Sequence, residues 1–443
     1  MSYHETIFQH TFYQNHSPLF KKYFILFKLL DQIIKITKLQ LFYHSNIGRK
    51  PYSRIALFKA FIIKHLEGLK YVSQLIQLLK NNTEIAYLCG FEDAIPDDSI
   101  FYRFINSNYL FDKLYPVFEN LVKQLILHNV ISTSVIAIDS KPIKAYSRYN
   151  NFKFFNPASV DSPDKLCKKS NRNSDATLSY YSKNYHTKKV IYFWGYRIHC
   201  IISPEGIPIA FEVTKNNIPD HKVAINLNKK IKHLDIDYFL ADAAYDNNSF
   251  YNSVINELNA IPLTPKNNRN SKNNNNSNSI ICPAGLKMKF NGFVKEPHRC
   301  RMKFRCPIKI ANKKEAKNLP CSCPINHSKF TTGKKYGCTK YIDPNSIFRN
   351  FIHSSFSNLF DLLYPKRFSV EQFFARLHNL SIENQTHFFF NAVRNFVCIA
   401  NISQCLIALA AKLVINDLTA IRKYKYFAKN APPLDKINIK LAA

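Results

Sequence analysis

The stretch Ser134-Val-Ile-Ala-Ile-Asp139-Ser-Lys141 narrows the choice of fold more than any other part of the chain. Four apolar residues run into a single aspartate. A short, β-branched, continuous run predicts a strand buried on both faces, as in a sheet covered by helices. Pro142, with no N–H to donate, is expected to stop the ladder. That would leave Asp139 at the sheet's edge, where open α/β sheets receive ligands. Tyr238-Phe-Leu-Ala-Asp242 repeats the pattern a hundred residues later. If the two strands are parallel neighbours, their ends lie about 4.8 Å apart. Carboxylates so placed suit a pair of metal ions about 3.5–4 Å apart. Taken singly, each aspartate is equally well explained as a strand-end cap, and Asp246 competes with Asp242; the pairing favours metal chemistry.

Around these strands the chain changes character twice. Before them, apolar residues recur at helical spacing over 18–42, Tyr52 to Glu67, Tyr71 to Lys80, from Asn82-Thr83 to Gly90, and after Ile95-Pro-Asp-Asp-Ser99. Compact helices with short turns are equally a DNA-binding module or a scaffold. From Val135 the order is strand, hairpin pair (Ile191–Ile202 and Ile207–Thr214), helix (Asp220–His233), strand, helix (Asn248–Leu258) and short strand (Ile261–Leu263). That succession predicts an α/β ribonuclease-H-like core, a mixed five-stranded sheet with helices. It is preceded by an all-α N-terminal region and interrupted by a Cys-rich insertion. The expected boundaries are 1–50 (helical extension), 51–130 (helical domain), 131–267 (first part of the core), 268–345 (insertion), 346–417 (closing helices) and 418–443 (tail). Residues 147–190 and 266–280 are polar and Lys/Asn-rich, and read as loop.

The charge narrows the partner. Sixty-two Lys and Arg against 30 Asp and Glu give +32, a balance that predicts a polyanion, most simply nucleic acid. Eleven cysteines are an odd number for a disulfide framework. No secretory pattern follows Met1, and the apolar stretch Phe20–Phe42 is cut by Lys and Asp. A cytoplasmic protein with reduced thiols is expected, without a membrane partner. Six cysteines (Cys282, Cys300, Cys306, Cys321, Cys323 and Cys338) crowd the insertion with His298 and His327. They are candidates for a tetrahedral zinc site, the alternative being reduced structural thiols.

A third acid is sought on a helix returning to the sheet. Tyr364-Pro-Lys-Arg367-Phe-Ser-Val-Glu371 continues to Arg376 and His378. Arg367, Glu371 and His378 share one helical face, while Val370, Phe373, Leu377 and Leu380 form an apolar stripe. The bland explanation is a surface Arg–Glu pair.

Asp139, the Ala241-Asp242-Ala-Ala-Tyr245-Asp246 stretch and the Tyr364…Arg367…Glu371 helix resemble the acidic triad of DDE transposases of bacterial insertion sequences. They are most similar to the group with a Tyr-Arg-Glu-Lys motif. His378 stands where that group has lysine, and Ala244 replaces a usual glycine. Gly68-Leu69 and Pro96-Asp97-Asp98-Ser99 resemble the N-terminal domain of the same proteins, and Cys282-Pro-Ala-Gly285 resembles an insertion many of them carry. The resemblance implies Asp139, Asp242 and Glu371 as catalytic ligands of two Mg²⁺ (or Mn²⁺) ions. It implies Tyr364, Arg367, Arg376 and His378 as DNA or phosphate contacts. It further implies double-stranded DNA (element ends and target) as substrate, cleavage followed by strand transfer, and a homodimer in the synaptic complex. With no P-loop, no nucleotide cofactor is expected. A ribonuclease-H-like nuclease or resolvase that does not join strands, or an inactive DNA-binding copy, are the alternatives.

Overall fold

A computed structural model describes residues 17–41, 52–92, 94–147, 175–182, 190–265, 280–296, 299–310, 318–331, 336–342, 357–383, 385–421, 431–437, 439 and 441. The chain forms two compact units, Met1–Phe239 with Lys366–Ala443, and Leu240–Pro365.

In the first unit the N-terminal helices form as their apolar spacing predicts: α1 (Pro18–Ile36), α2 (Arg54–Leu66), α3 (Val72–Asn81), α4 (Thr83–Cys89) and α5 (Asp98–Ile105). Ser17 and Ser53 cap α1 and α2 through their hydroxyls, and Gly90 ends α4 in the left-handed region. A longer helix, α6 (Leu110–Leu127), follows and carries Pro116 inside it. The sheet then begins with β1 (Val135–Lys144), β2 (Thr177–Ser182), β3 (Val190–Ile202) and β4 (Pro208–Lys215), followed by α7 (Asp220–Ile231) and β5 (Tyr238–Leu240). Strand β3 is the spine: it pairs antiparallel with β1, β2 and β4. At the start of β5, Asp237 and Tyr238 donate to Ser134 O, 2.9 Å each, so β5 begins beside β1. Gly195 sits where β1 and β3 come closest, and a Cβ there would collide with Ile143 O.

Two expectations are corrected here. Pro142 does not end β1; it lies inside the strand, opposite Arg197. Ala145 N donates to Trp194 O of β3, while Lys144 N points the other way, to Glu383 O. By alternation, Pro142's missing N–H also falls on the side away from β3, so no β1–β3 bond is lost. Asp139 therefore stands mid-strand, not at its end. The region read as loop also contributes β2; the remainder of that stretch, 148–174 and 183–189, lies outside the described residues.

The core of this unit is closed from the far end of the chain. After α10 (Phe368–Asn379) comes α11 (Phe390–Ala410), which packs on α1, α2, α5, α6 and β4. The segment Phe390–Ile415 has a mean hydropathy of 1.9, enough to cross a membrane by composition, but 78% of that apolar window is buried inside the protein. Asn395 within it donates to Ile105 O and Ser107 O (2.7 and 2.9 Å), tying the α5 C-terminus to this central helix.

The second unit holds α8 (Asn248–Leu258), β6 (Ile261–Leu263), a three-stranded sheet of β7 (Lys289–Glu296), β8 (Arg299–Arg305) and β9 (Thr339–Ile342), and α9 (Ser357–Leu363). Ala241 N donates to Leu263 O at 3.2 Å, joining the end of β5 to β6. The Cys-rich insertion, expected to be loop-rich, is thus organised by a sheet whose inner side is the cluster of Cys282, Met288 and Phe304.

Candidate active site

Alternation along β1 puts Asp139 and Lys141 on one face and Ser140 on the other. On the first face, Arg367 Nη2 donates to Asp139 Oδ2 at 2.6 Å, across 228 residues. Asp139 Oδ1 accepts from Ser140 N at 2.7 Å. Both side chains of the pair are mostly buried, 17% exposed for Arg367 and 21% for Asp139, so the contact is charge-assisted and little screened. Arg367 is the N-cap of α10, with Glu371 exposed in its first turn, where the helix dipole favours an acid. Arg367 pairs with Asp139, so the expected surface Arg–Glu pair does not describe it.

Lys141 was not singled out by sequence, yet it stands beside Asp139 at the centre of a second network. Its Nζ contacts Glu383 Oε1 and donates to Phe374 O at 3.4 Å. Glu383 Oε2 in turn meets His378 Nδ1 at 3.0 Å. Burial alone would raise the Glu383 pKa, but the hydrogen bonds and charges of Lys141 and His378 outweigh it and hold the carboxyl below its ordinary value. The only sequence signal for Lys141 was its two-residue offset from Asp139; Glu383, in the loop after α10, had none.

The opposite face of β1 is braced. Ser140 Oγ donates to Asp220 Oδ2 (3.1 Å) at the start of α7, and Arg197 Nη1 reaches both Asp220 oxygens (3.3 Å) and Ser140 Oγ (3.1 Å). His199 stays neutral in this cluster because burial, and then Arg197, push its pKa down to about 3; its Nε2 pairs with Thr214 Oγ1 at 2.9 Å.

Other predicted contacts are committed within the fold. Arg376 donates through Nη2 to Gly206 O and through Nε to Gln404 Oε1 at 3.3 Å. It stitches the β3–β4 turn, where Gly206 has a φ of +77°, to α11. In the second unit, Asp242 caps the short turn Ala243–Tyr245, its Oδ1 accepting from Ala244 N at 2.9 Å. Asp246 is instead bonded to Tyr251 OH at 2.9 Å, leaving Asp242 the better candidate of the two. Tyr364 stacks on Phe360 with ring centroids 4.4 Å apart.

Among the described residues no group of three His, Cys, Asp or Glu side chains is placed to hold a metal ion. The acids are nonetheless the hard oxygen donors that Mg²⁺ takes, and Arg367 supplies positive charge at Asp139. Among the six cysteines, Cys282, Cys306, Cys323 and Cys338 line one pocket with His327, while Cys321 is exposed. The Cys300 side chain and His298 lie outside what is described. Burial, then the adjoining Cys306 and Cys282 thiols, push the Cys338 pKa up to about 12. The buried sulfurs pack as small apolar groups, and the described residues assemble no zinc set.

Residues 131–406 match the model of the transposase DDE domain, and residues 11–107 match a second, the transposase domain DUF772. No curated protein and no solved structure matches the chain. The first match spans more than half of the sequence and takes in β1, the whole six-strand succession and the α10 helix, with the ribonuclease-H-like order of elements, so the chain belongs to the DDE transposases of insertion sequences.

Proposed function

We propose that the protein binds the terminal inverted repeats of its own insertion sequence in double-stranded DNA, cleaves there, and joins the freed 3′-OH to target DNA in a homodimeric synaptic complex. Asp139, Asp242 and Glu371 would hold two Mg²⁺ or Mn²⁺ ions. When bound, such ions activate the attacking water or 3′-OH and stabilise the leaving oxygen. The observation that most supports this reading is the Arg367–Asp139 contact, which brings the N-terminus of α10 to the middle of β1.

The chain's own residues then divide the work. Asp139 is oriented by Ser140 N and by Arg367. Arg367 keeps further guanidinium donors for a scissile-strand phosphate, which it can grip in a bidentate way once a cation takes over Asp139. Glu371 is exposed one turn along the helix and accessible from solvent. Lys141 and His378, both joined to Glu383, set an ammonium and an imidazole beside Asp139's strand. Lys141 thus supplies a positive charge near the position where the Tyr-Arg-Glu-Lys motif has lysine and this chain has His378. Tyr364 remains a candidate DNA contact through its ring, whereas Arg376 acts by bracing α10 rather than by touching DNA.

Incubating the purified protein with labelled element ends, Mg²⁺ and a target plasmid tests the proposal. Cleaved and joined products are expected. Cleavage without joining would assign a nuclease instead, and binding without either would assign an inactive copy.

A further inference from the structure

From Leu286 to Ile310 the sequence has eight Lys or Arg and one acid, Glu296. In the second unit this stretch makes β7 and β8, with β9 as the third strand. Alternation puts Arg301, Lys303 and Arg305 on one face of β8, repeating every ~6.8 Å at about 3.4 Å per residue. The register sets Lys289 of β7 opposite Arg305, and Tyr341 of β9 opposite Lys303. The Arg301 guanidinium lies 4.8 Å from the Tyr341 ring, and that of Arg305 lies 5.5 Å from Tyr336. Both tyrosines are exposed. The reverse side of β8 faces inward: Phe304 is buried with Cys282 and Met288. One side of the sheet is thus anchored, and the other gathers Lys289, Arg301, Lys303 and Arg305, with one acid, Glu296, entering the register opposite Arg299 at the β7–β8 end.

An ordinary solvated face mixes both signs. Like charges in register across a sheet repel one another, and a polyanion relieves that repulsion. A ribbon of antiparallel strands also has the dimensions that a DNA groove admits. We infer that the Arg301–Lys303–Arg305 face of this sheet is a docking surface for the phosphate backbone of duplex DNA. The inference rests on the transposase reading and adds to it a contact element separate from the three acids. Its contacts fix position without reading sequence, because they go to phosphates.

The test is fluorescence anisotropy of the full-length protein on a labelled duplex of unrelated sequence, across a NaCl series. Replacing Arg301, Lys303 and Arg305 by Gln is expected to lower the slope of log K against log[salt] by about 2.7, at about 0.9 per phosphate contact. Lys303→Gln alone is expected to lower it by about 0.9, which keeps the test decisive if the triple variant fails to fold. Lys340→Ala lies on the Phe304 side of the same sheet and is expected to leave the slope unchanged. An unchanged slope in the Gln variants, with wild type binding normally, overturns this surface alone. An equal loss in Lys340→Ala overturns its sidedness. A wild-type protein that ignores duplex DNA overturns the transposase reading as well. Binding to anionic vesicles in place of duplex would reassign the face to a membrane and overturn it.

Discussion

Arg367 holds Asp139 through a 2.6 Å bond, so the two residues must be thermodynamically coupled, and a double-mutant cycle reads that coupling directly. The variants are Asp139→Asn, Arg367→Gln and the pair together. Fully exposed ion pairs contribute about 0.2–1 kcal/mol, and breaking a fully buried one costs about 3–5 kcal/mol. With 17% and 21% of the two side chains exposed and a single 2.6 Å bond between them, this pair falls between those limits. The expected coupling is about 1.5–3 kcal/mol, the range for hydrogen bonds to charged groups. Urea unfolding followed by fluorescence suits the assay, because the chain's one tryptophan, Trp194, lies on β3 in the same unit. Adding Mg²⁺ should reduce the coupling, since a cation at Asp139 competes with the guanidinium for the same oxygens. A coupling below about 0.5 kcal/mol, the usual error of additivity, would refute the idea that Arg367 holds Asp139.

Further outcomes follow from the same geometry. Asp139→Asn and Glu371→Gln should each cut cleavage of element ends by about 10³-fold or more, the scale for a group acting on the reacting centre, while leaving DNA affinity intact; retained cutting rejects the assignment. Lys64 is buried, donates to Leu69 O and Lys70 O, and has its pKa lowered by desolvation to about 7. Between that value and its ordinary 10.5 the unfolded chain binds more protons, so stability should rise with pH across this window. Lys64→Met should flatten that rise, and an equally steep rise in the variant counts against the assignment. Cys321 is exposed while Cys89, Cys398 and Cys405 are buried with raised pKa values. Among the described thiols, Cys321 should therefore react first with a thiol reagent at neutral pH, and Cys321→Ser should remove that phase.

Legibility from sequence followed how locally each feature is encoded. The helices α1 to α5 and the strands β3 to β6 are written in short-range periodicity, and they formed within a residue or two of expectation, except that α1 ends at Ile36, six residues before the expected 42. Asp139 was found for a partly mistaken reason. Pro142 reads as a stop, but antiparallel pairing leaves alternate N–H groups unused, and a proline at such a place costs the β1–β3 ladder nothing. Strand β2 was missed because it lies inside a Lys/Asn-rich stretch that reads as loop, β7 and β8 because Lys and Arg interrupt their apolar pattern, and β9 because it pairs with β8 from a distant part of the chain. The roles of Glu383 and Arg376 are tertiary: nothing near Glu383 announces Lys141, and nothing near Arg376 announces the carbonyl of Gly206. Of the two arginines on that segment, Arg367 reaches the Asp139 carboxylate and Arg376 braces the scaffold. Spacing alone does not separate those outcomes.

The central helix α11 has a consequence for synthesis. Helices made in the first quarter of the polypeptide have no completed hydrophobic partner until residues 390–410 have left the ribosome. A product that stopped short of residue 390 would carry Asp139 and most of the sheet but expose the apolar sides of α2 and α6, surface of the kind that drives aggregation.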